Sequence, residues 1–208
     1  NHFVYELLQN AEDAEATFIT FVYQRDRLTI YHNGRPFNEM DVNGICSVQD
    51  SAKDKDSLQT IGHFGIGFKS VFKYTSRPEV YSNGEAFAIE NYLLPKELLH
   101  GNFPKDCCYQ MGETTVFPFE NEHNKTKFVL PFKKNLASSG IDPEDIVKKL
   151  SGLEDEILLF LRHIKKLTWL DETTGEYGEY ECEIDPKDGK ICICRKSDNE
   201  GTEQESRY

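Results

Sequence analysis

The sequence predicts a domain of mixed α and β structure, and three stretches carry that expectation. Residues 2–15 place Phe3, Val4, Leu7, Leu8, Ala11 and Ala14 on one face at helical spacing. Thr17–Gln24 and Arg27–His32 are rich in β-branched and aromatic side chains and read as an antiparallel hairpin around a charged turn. Ile61–Ser70 interrupts an apolar run with Gly62, Gly65 and Gly67, at G-x-x-G-x-G spacing, ahead of a second helical pattern. Glycine allows backbone angles and close approaches that a Cβ forbids. Amides left free at a helix start can then face an anion such as a phosphate.

The remaining elements follow in order. Asn33-Gly34-Arg35-Pro36 breaks the hairpin's second strand, and Asn38–Cys46 reads as a short helix. Ser47–Gln59 is polar, charged and without apolar periodicity, a long loop of the kind that makes a lid. Pro78–Ser82 and Glu85–Glu90 form a hairpin around Asn83-Gly84, residues 92–123 read as an irregular insertion, and Thr126–Phe132 is a strand. Pro143–Ser151 and Leu153–Ile164 are expected helices, and Leu167–Leu170, Tyr177–Ile184 and Lys190–Arg195 late strands. The expected division is one main domain over 1–170 and an acidic, β-rich extension over 171–208.

Bulk properties narrow the classes. With 208 residues the chain can bury a substantial core, and 29% charged with 12% aromatic residues is a globular composition. A net charge of −12 argues against a broad nucleic-acid or membrane surface. No apolar run reaches membrane-span length and no signal peptide is visible, and the six cysteines have no framework spacing, so reduced thiols and a cytoplasmic setting are expected. Cys182, Cys192 and Cys194 alternate as a strand would, which favours a structural role over zinc ligation. The chain opens at Asn1 inside a helical pattern, as a piece of a longer protein would.

The first helix and the glycine segment together suggest chemistry. Glu6, Asn10 and Asp13 fall at i, i+4 and i+7, one polar stripe beside a wide apolar face. An Asn amide oxygen is a hard ligand suited to one position on a Mg²⁺ that keeps its waters and phosphate oxygens. A carboxylate one turn away can accept a proton from water attacking a terminal phosphate.

Helix E-x-x-x-N, strand and turn, then G-x-x-G-x-G is an order that resembles the GHKL ATPase superfamily. Glu6-Leu7-Leu8-Gln9-Asn10-Ala11-Glu12-Asp13-Ala14 resembles its first motif and Ile61–Ser70 its glycine motif, while Lys125–Leu130 resembles its late strand. Within the superfamily the likeness is to sacsin-type and heat-shock-chaperone-type domains and covers about residues 2–170. It implies a two-layer α/β sandwich: a mixed, largely antiparallel sheet covered by helices on one face, with ATP and Mg²⁺ between helices and lid. The resemblance makes Glu6 the water-activating base, Asn10 the Mg²⁺ ligand and Asp13 a nucleotide-side residue. It assigns Gly62, Phe64, Gly65, Ile66, Gly67 and Phe68 to the phosphate segment, Lys53 to the lid and Thr126 to the adenine end. ATP binding and slow hydrolysis would gate conformational change in a larger chaperone-like protein. Other domains of the parent chain, and a homodimer on ATP binding, are the implied partners.

One position departs from the pattern. Where the superfamily's second motif carries an aspartate that accepts the adenine amino group, this chain has His32-Asn33-Gly34-Arg35-Pro36. A neutral imidazole has one acceptor nitrogen and the Asn33 amide oxygen is another, so adenine is expected to be read by neutral acceptors. His32 also favours the alternative of a nucleotide sensor or pseudo-ATPase with little turnover.

Overall fold

The computed structural model describes residues 3–46, 67–82, 84–98, 109–111, 114–116, 126–187, 189, 191–197 and 204–207. A helix, α1 (Phe3–Asp13), precedes the antiparallel pair β1 (Phe18–Gln24) and β2 (Arg27–His32), followed by α2 (Glu39–Cys46). A two-turn 3-10 segment, Phe68–Lys73, leads to β3 (Glu79–Ser82), β4 (Glu85–Glu90) and β5 (Leu94–Glu97). The hairpin β6 (Tyr109–Met111) and β7 (Thr114–Val116) stands apart from the main sheet. Then come β8 (Thr126–Pro131), α3 (Asp145–Ser151), β9 (Lys166–Asp171), β10 (Tyr177–Ile184), β11 (Ile191–Ser197) and β12 (Gln204–Arg207).

Ten strands form one mixed sheet in the order β12-β11-β10-β9-β1-β2-β8-β3-β4-β5. Among the described residues its pairings are antiparallel except for β1 with β9. Side chains alternate across the pleat, so each strand divides its residues between two faces. Phe21, Ile30, Phe128 and Val80 lie side by side in register on the helix-covered face. Against them α1 buries Phe3, Val4, Leu7, Leu8 and Ala11, the apolar stripe its spacing predicts. Each of the four larger side chains, Phe3, Val4, Leu7 and Leu8, contributes about 1.5–3 kcal/mol by leaving water. Strands β10 and β11 continue that core through Tyr180 and Ile193. The acidic, β-rich stretch after 171 thus extends the same sheet.

Two expectations change. The stretch 92–123, expected to be irregular, contributes strands: β5 adds an edge to the main sheet, and Met111 of β6 packs with Val22, Tyr31 and Leu170 on the sheet's other face. The helix expected over Leu153–Ile164 is a 3-10 turn, Asp155–Phe160, and Leu161 is extended. A competing acceptor explains the difference. The amides of Arg162, His163 and Ile164 donate to the Glu12 carboxylate of α1 at 2.7–3.1 Å, so they are not available to continue a helix. Ser47–Gln59, Lys53, Gly62, Phe64, Gly65 and Ile66 lie outside the described residues.

Candidate nucleotide site

The polar stripe of α1 is graded in depth. Asp13 at the C-terminal end is exposed and accepts a hydrogen bond from Gln9 Nε2 at 2.8 Å. Glu6 is half-buried, whereas Asn10 is 3% exposed. The Asn10 Nδ2 is buried without a hydrogen-bond partner, which costs about 1–3 kcal/mol for such a group. With nothing holding that side, the amide can present either its oxygen or its nitrogen there. A stable core keeps few such groups.

Glu6 meets the glycine segment directly. A Cβ built on Gly67 would stand 1.9 Å from Glu6 Oε2, so only the absence of a side chain lets the carboxylate lie there. The backbone of Gly67 is right-handed helical, φ −62° and ψ −46°, which any residue could adopt. Its requirement is therefore steric. Three residues on, Ser70 Oγ is likewise buried and unpartnered. Phe68 gives its side chain to the core, fully buried with its ring 5.5 Å from that of Phe128.

The second half of the site is a row of polar side chains across three strand ends. His32 pairs with Thr126, and Thr126 with Ser82, so the three side chains stand side by side on the helix-covered face. Thr126 Oγ1 and Ser82 Oγ are hydrogen-bonded at 2.8 Å, and Ser82 Oγ accepts the Phe37 N–H at 2.9 Å. His32 is 1% exposed, and burial pushes its pKa down to about 4, so the ring is neutral near pH 7. Its Nδ1 accepts the Gly34 N–H at 3.1 Å, whereas Nε2 is buried without a partner.

That geometry corrects both acceptors expected for adenine. The imidazole's one acceptor nitrogen faces Gly34, so the free side of the ring is an N–H donor. The Asn33 oxygen accepts the amides of Thr17 and Phe18 at 2.8 and 3.1 Å, while its Nδ2 donates to Thr17 Oγ1 at 2.7 Å. Asn33 fastens the end of β2 to the start of β1. Gly34 is the close-approach residue of this turn: a Cβ there would lie 2.7 Å from Ala14 O and 2.8 Å from Ala14 Cβ. Ala14 is one turn beyond Asn10, so this contact brings the α1 stripe and the strand-end row together.

Glu12 was legible only as part of a motif. It continues the apolar stripe one turn after Leu8, and a carboxylate in such a stripe needs donors. Its three backbone donors supply them and lock α1 to the segment before β9. Cys182 lies opposite Ile193 and Cys192 opposite Glu183, so the two thiols project to different faces and cannot share a metal. Among the described residues no group of three or more His, Cys, Asp or Glu is placed to hold a metal ion, and no helix is long and apolar enough to cross a membrane.

A ten-stranded mixed sheet with helices on one face, and an E-x-x-x-N helix laid against Gly67, define the fold. The B-subunit of the DNA gyrase from Myxococcus xanthus shares that fold, with a TM-score of 0.50 over 93% of this chain and 60% of that one, at 11% identity. Residues 24–179 match the Sacsin domain, and the chain belongs to that family. It is similar to Protein NO VEIN of Arabidopsis thaliana, at 29% identity over 181 residues, and to human Sacsin, at 26% over 225. Those matches cover 81% and 82% of this chain but only 6% and 5% of the relatives' own lengths.

Proposed function

We propose that this chain binds a Mg²⁺–nucleoside triphosphate, ATP in the reading by resemblance, and hydrolyses it slowly to gate conformational change in a larger chaperone-like protein. The contact between Glu6 and Gly67 carries the reading, because it joins the candidate base to the start of the glycine segment's helical turn. Asn10 adds a buried amide with an unmet hydrogen-bonding side. That group fits a Mg²⁺ bound through one protein oxygen, the remaining positions falling to phosphate and water. When bound, the ion would neutralise charge on the phosphates. Glu6 would take the proton of the attacking water, and Asp13, Lys53 and the Gly62–Phe68 segment would complete the nucleotide side. Association of two copies on nucleotide binding, and contacts with other parts of a longer chain, belong to the same proposal.

Single-turnover phosphate release tests it. Glu6→Ala should slow hydrolysis about a hundredfold or more, the usual range for a lost general base, and spare binding. Unchanged turnover would remove Glu6 from the catalytic role. A sensor without turnover is the second reading, favoured by His32 in place of a carboxylate. It predicts the same response to a triphosphate and to its non-hydrolysable analogue, with no phosphate released.

A further inference from the structure

The strand end of the site, where His32, Thr126 and Ser82 stand side by side, presents hydrogen-bond donors where the sequence predicts acceptors. Gly34 N–H donates to His32 Nδ1, so the lone pair of that nitrogen is spent and the single proton of the neutral ring sits on Nε2. This Nε2–H is buried and unpartnered. A second donor stands in the next strand. Thr126 and Ser82 share one hydrogen bond between two hydroxyl groups, and Ser82 Oγ already accepts the Phe37 amide. Whichever hydroxyl donates, the other keeps a hydrogen to give. The Asn33 oxygen, the remaining acceptor of the motif, is held by Thr17 and Phe18.

Resting on the nucleotide reading above, we propose that this end selects a 6-oxo purine, hypoxanthine or guanine, over adenine, with His32 Nε2–H donating to the exocyclic oxygen. A carbonyl oxygen carries two lone pairs, enough to take the imidazole N–H and the hydroxyl hydrogen together. Adenine at the same depth puts an amino group there, which only donates. Its hydrogens would face the imidazole N–H, leaving buried donors unpaired. Sites built to hydrogen-bond one exocyclic group reject the analogue lacking it more strongly than apolar pockets discriminate by size. His32 is therefore the specificity-determining residue, through the face its Gly34 contact leaves free.

The test is calorimetric titration of the 208-residue chain with Mg²⁺ and ATP, ITP, GTP or UTP. ITP and ATP differ only at position 6 and the adjoining ring nitrogen. ITP and GTP should bind at least tenfold more tightly than ATP, and UTP weakly, since its carbonyl sits on a smaller ring. His32→Asp, which restores an acceptor, should shift the preference toward ATP. A measurement on the unsubstituted chain stands beside that variant: the ¹⁵N-detected Nε2 proton of His32 should move downfield with ITP and not with ATP. Equal affinity for ITP and ATP, or tighter binding of ATP, overturns the base assignment and leaves nucleotide binding intact. No binding by any of the four overturns both.

Discussion

Glu6 Oε2 lies 1.9 Å from the point that a β-carbon at position 67 would take, too close for any residue there but glycine. The contact spans two stretches separated by about sixty positions in the chain, and it makes Gly67 a condition for the carboxylate's placement.

Gly67→Ala therefore acts on Glu6 and not on the backbone, whose helical angles suit alanine. Overpacking of this kind costs about 1–3 kcal/mol. In a Glu6→Ala background the same substitution should be neutral, or stabilising by about 0.4–1 kcal/mol through the loss of glycine's unfolded-state freedom. Urea denaturation of the four proteins in the cycle reads the coupling. Equal effects of Gly67→Ala in both backgrounds would show that the two residues do not interact.

Asn10→Ala separates stability from binding. It removes a buried group without a partner, so folding should lose less than about 1 kcal/mol or gain slightly, because no made hydrogen bond disappears. Mg²⁺-dependent nucleotide affinity should fall about tenfold or more. A large loss of stability with unaltered affinity would make Asn10 structural.

Asn33→Ala should do the opposite. Three hydrogen bonds to Thr17 and Phe18 are lost and two backbone amides are left unpaired, a cost of about 2–3 kcal/mol, while base preference stays unchanged. Thermal denaturation and the ITP/ATP affinity ratio measure the two halves.

Glu12→Ala removes the acceptor of the Arg162, His163 and Ile164 amides. We expect a loss of about 2–4 kcal/mol, and faster hydrogen exchange at those three amides than elsewhere in the core. Uniform exchange across the chain would mean that Glu12 supports the fold only globally.

His32 gives the domain an acid-labile stability. Its folded pKa, about 4, lies below the ordinary 6.5, so between those values the unfolded chain binds the proton that the folded chain refuses. The contribution is complete above pH 6.5, falls as pH drops toward 4 and is level below that. The shift corresponds to about 3 kcal/mol. Urea midpoints at pH 7 and pH 4.5 should separate more for the native chain than for His32→Phe, and parallel curves would refute a buried neutral imidazole.

Periodicity and motif order made the helix, the hairpin and the helix-covered face of the sheet legible in advance. α1 and β1–β2 sit where their patterns put them because local spacing and burial agree. What the sequence hid were competitions for backbone groups. Glu12 draws three amides that Leu153–Ile164 would have used in a helix, and Gly34 takes the lone pair that His32 was expected to offer a base. Both outcomes depend on which polar atoms meet in space, and hydrophobic periodicity carries no record of that. The main-sheet edge β5 and the β6–β7 hairpin were hidden for a different reason: their strands are three or four residues long, too short for an alternating pattern to stand out.

The parallel pairing of β1 with β9 governs how the chain assembles. β1 shares one edge with β2, two residues away, but its other edge belongs to β9, whose Lys166–Asp171 are made more than a hundred residues later. An antiparallel hairpin closes in microseconds, whereas joining segments so far apart in the chain raises the contact order and slows folding. During synthesis, the open edge of β1 thus exposes a row of unpaired amides and carbonyls beside apolar side chains, the kind of edge that recruits other strands. The half of the molecule that carries Glu6, Asn10 and His32 remains an unfinished sheet until the ribosome has passed β9.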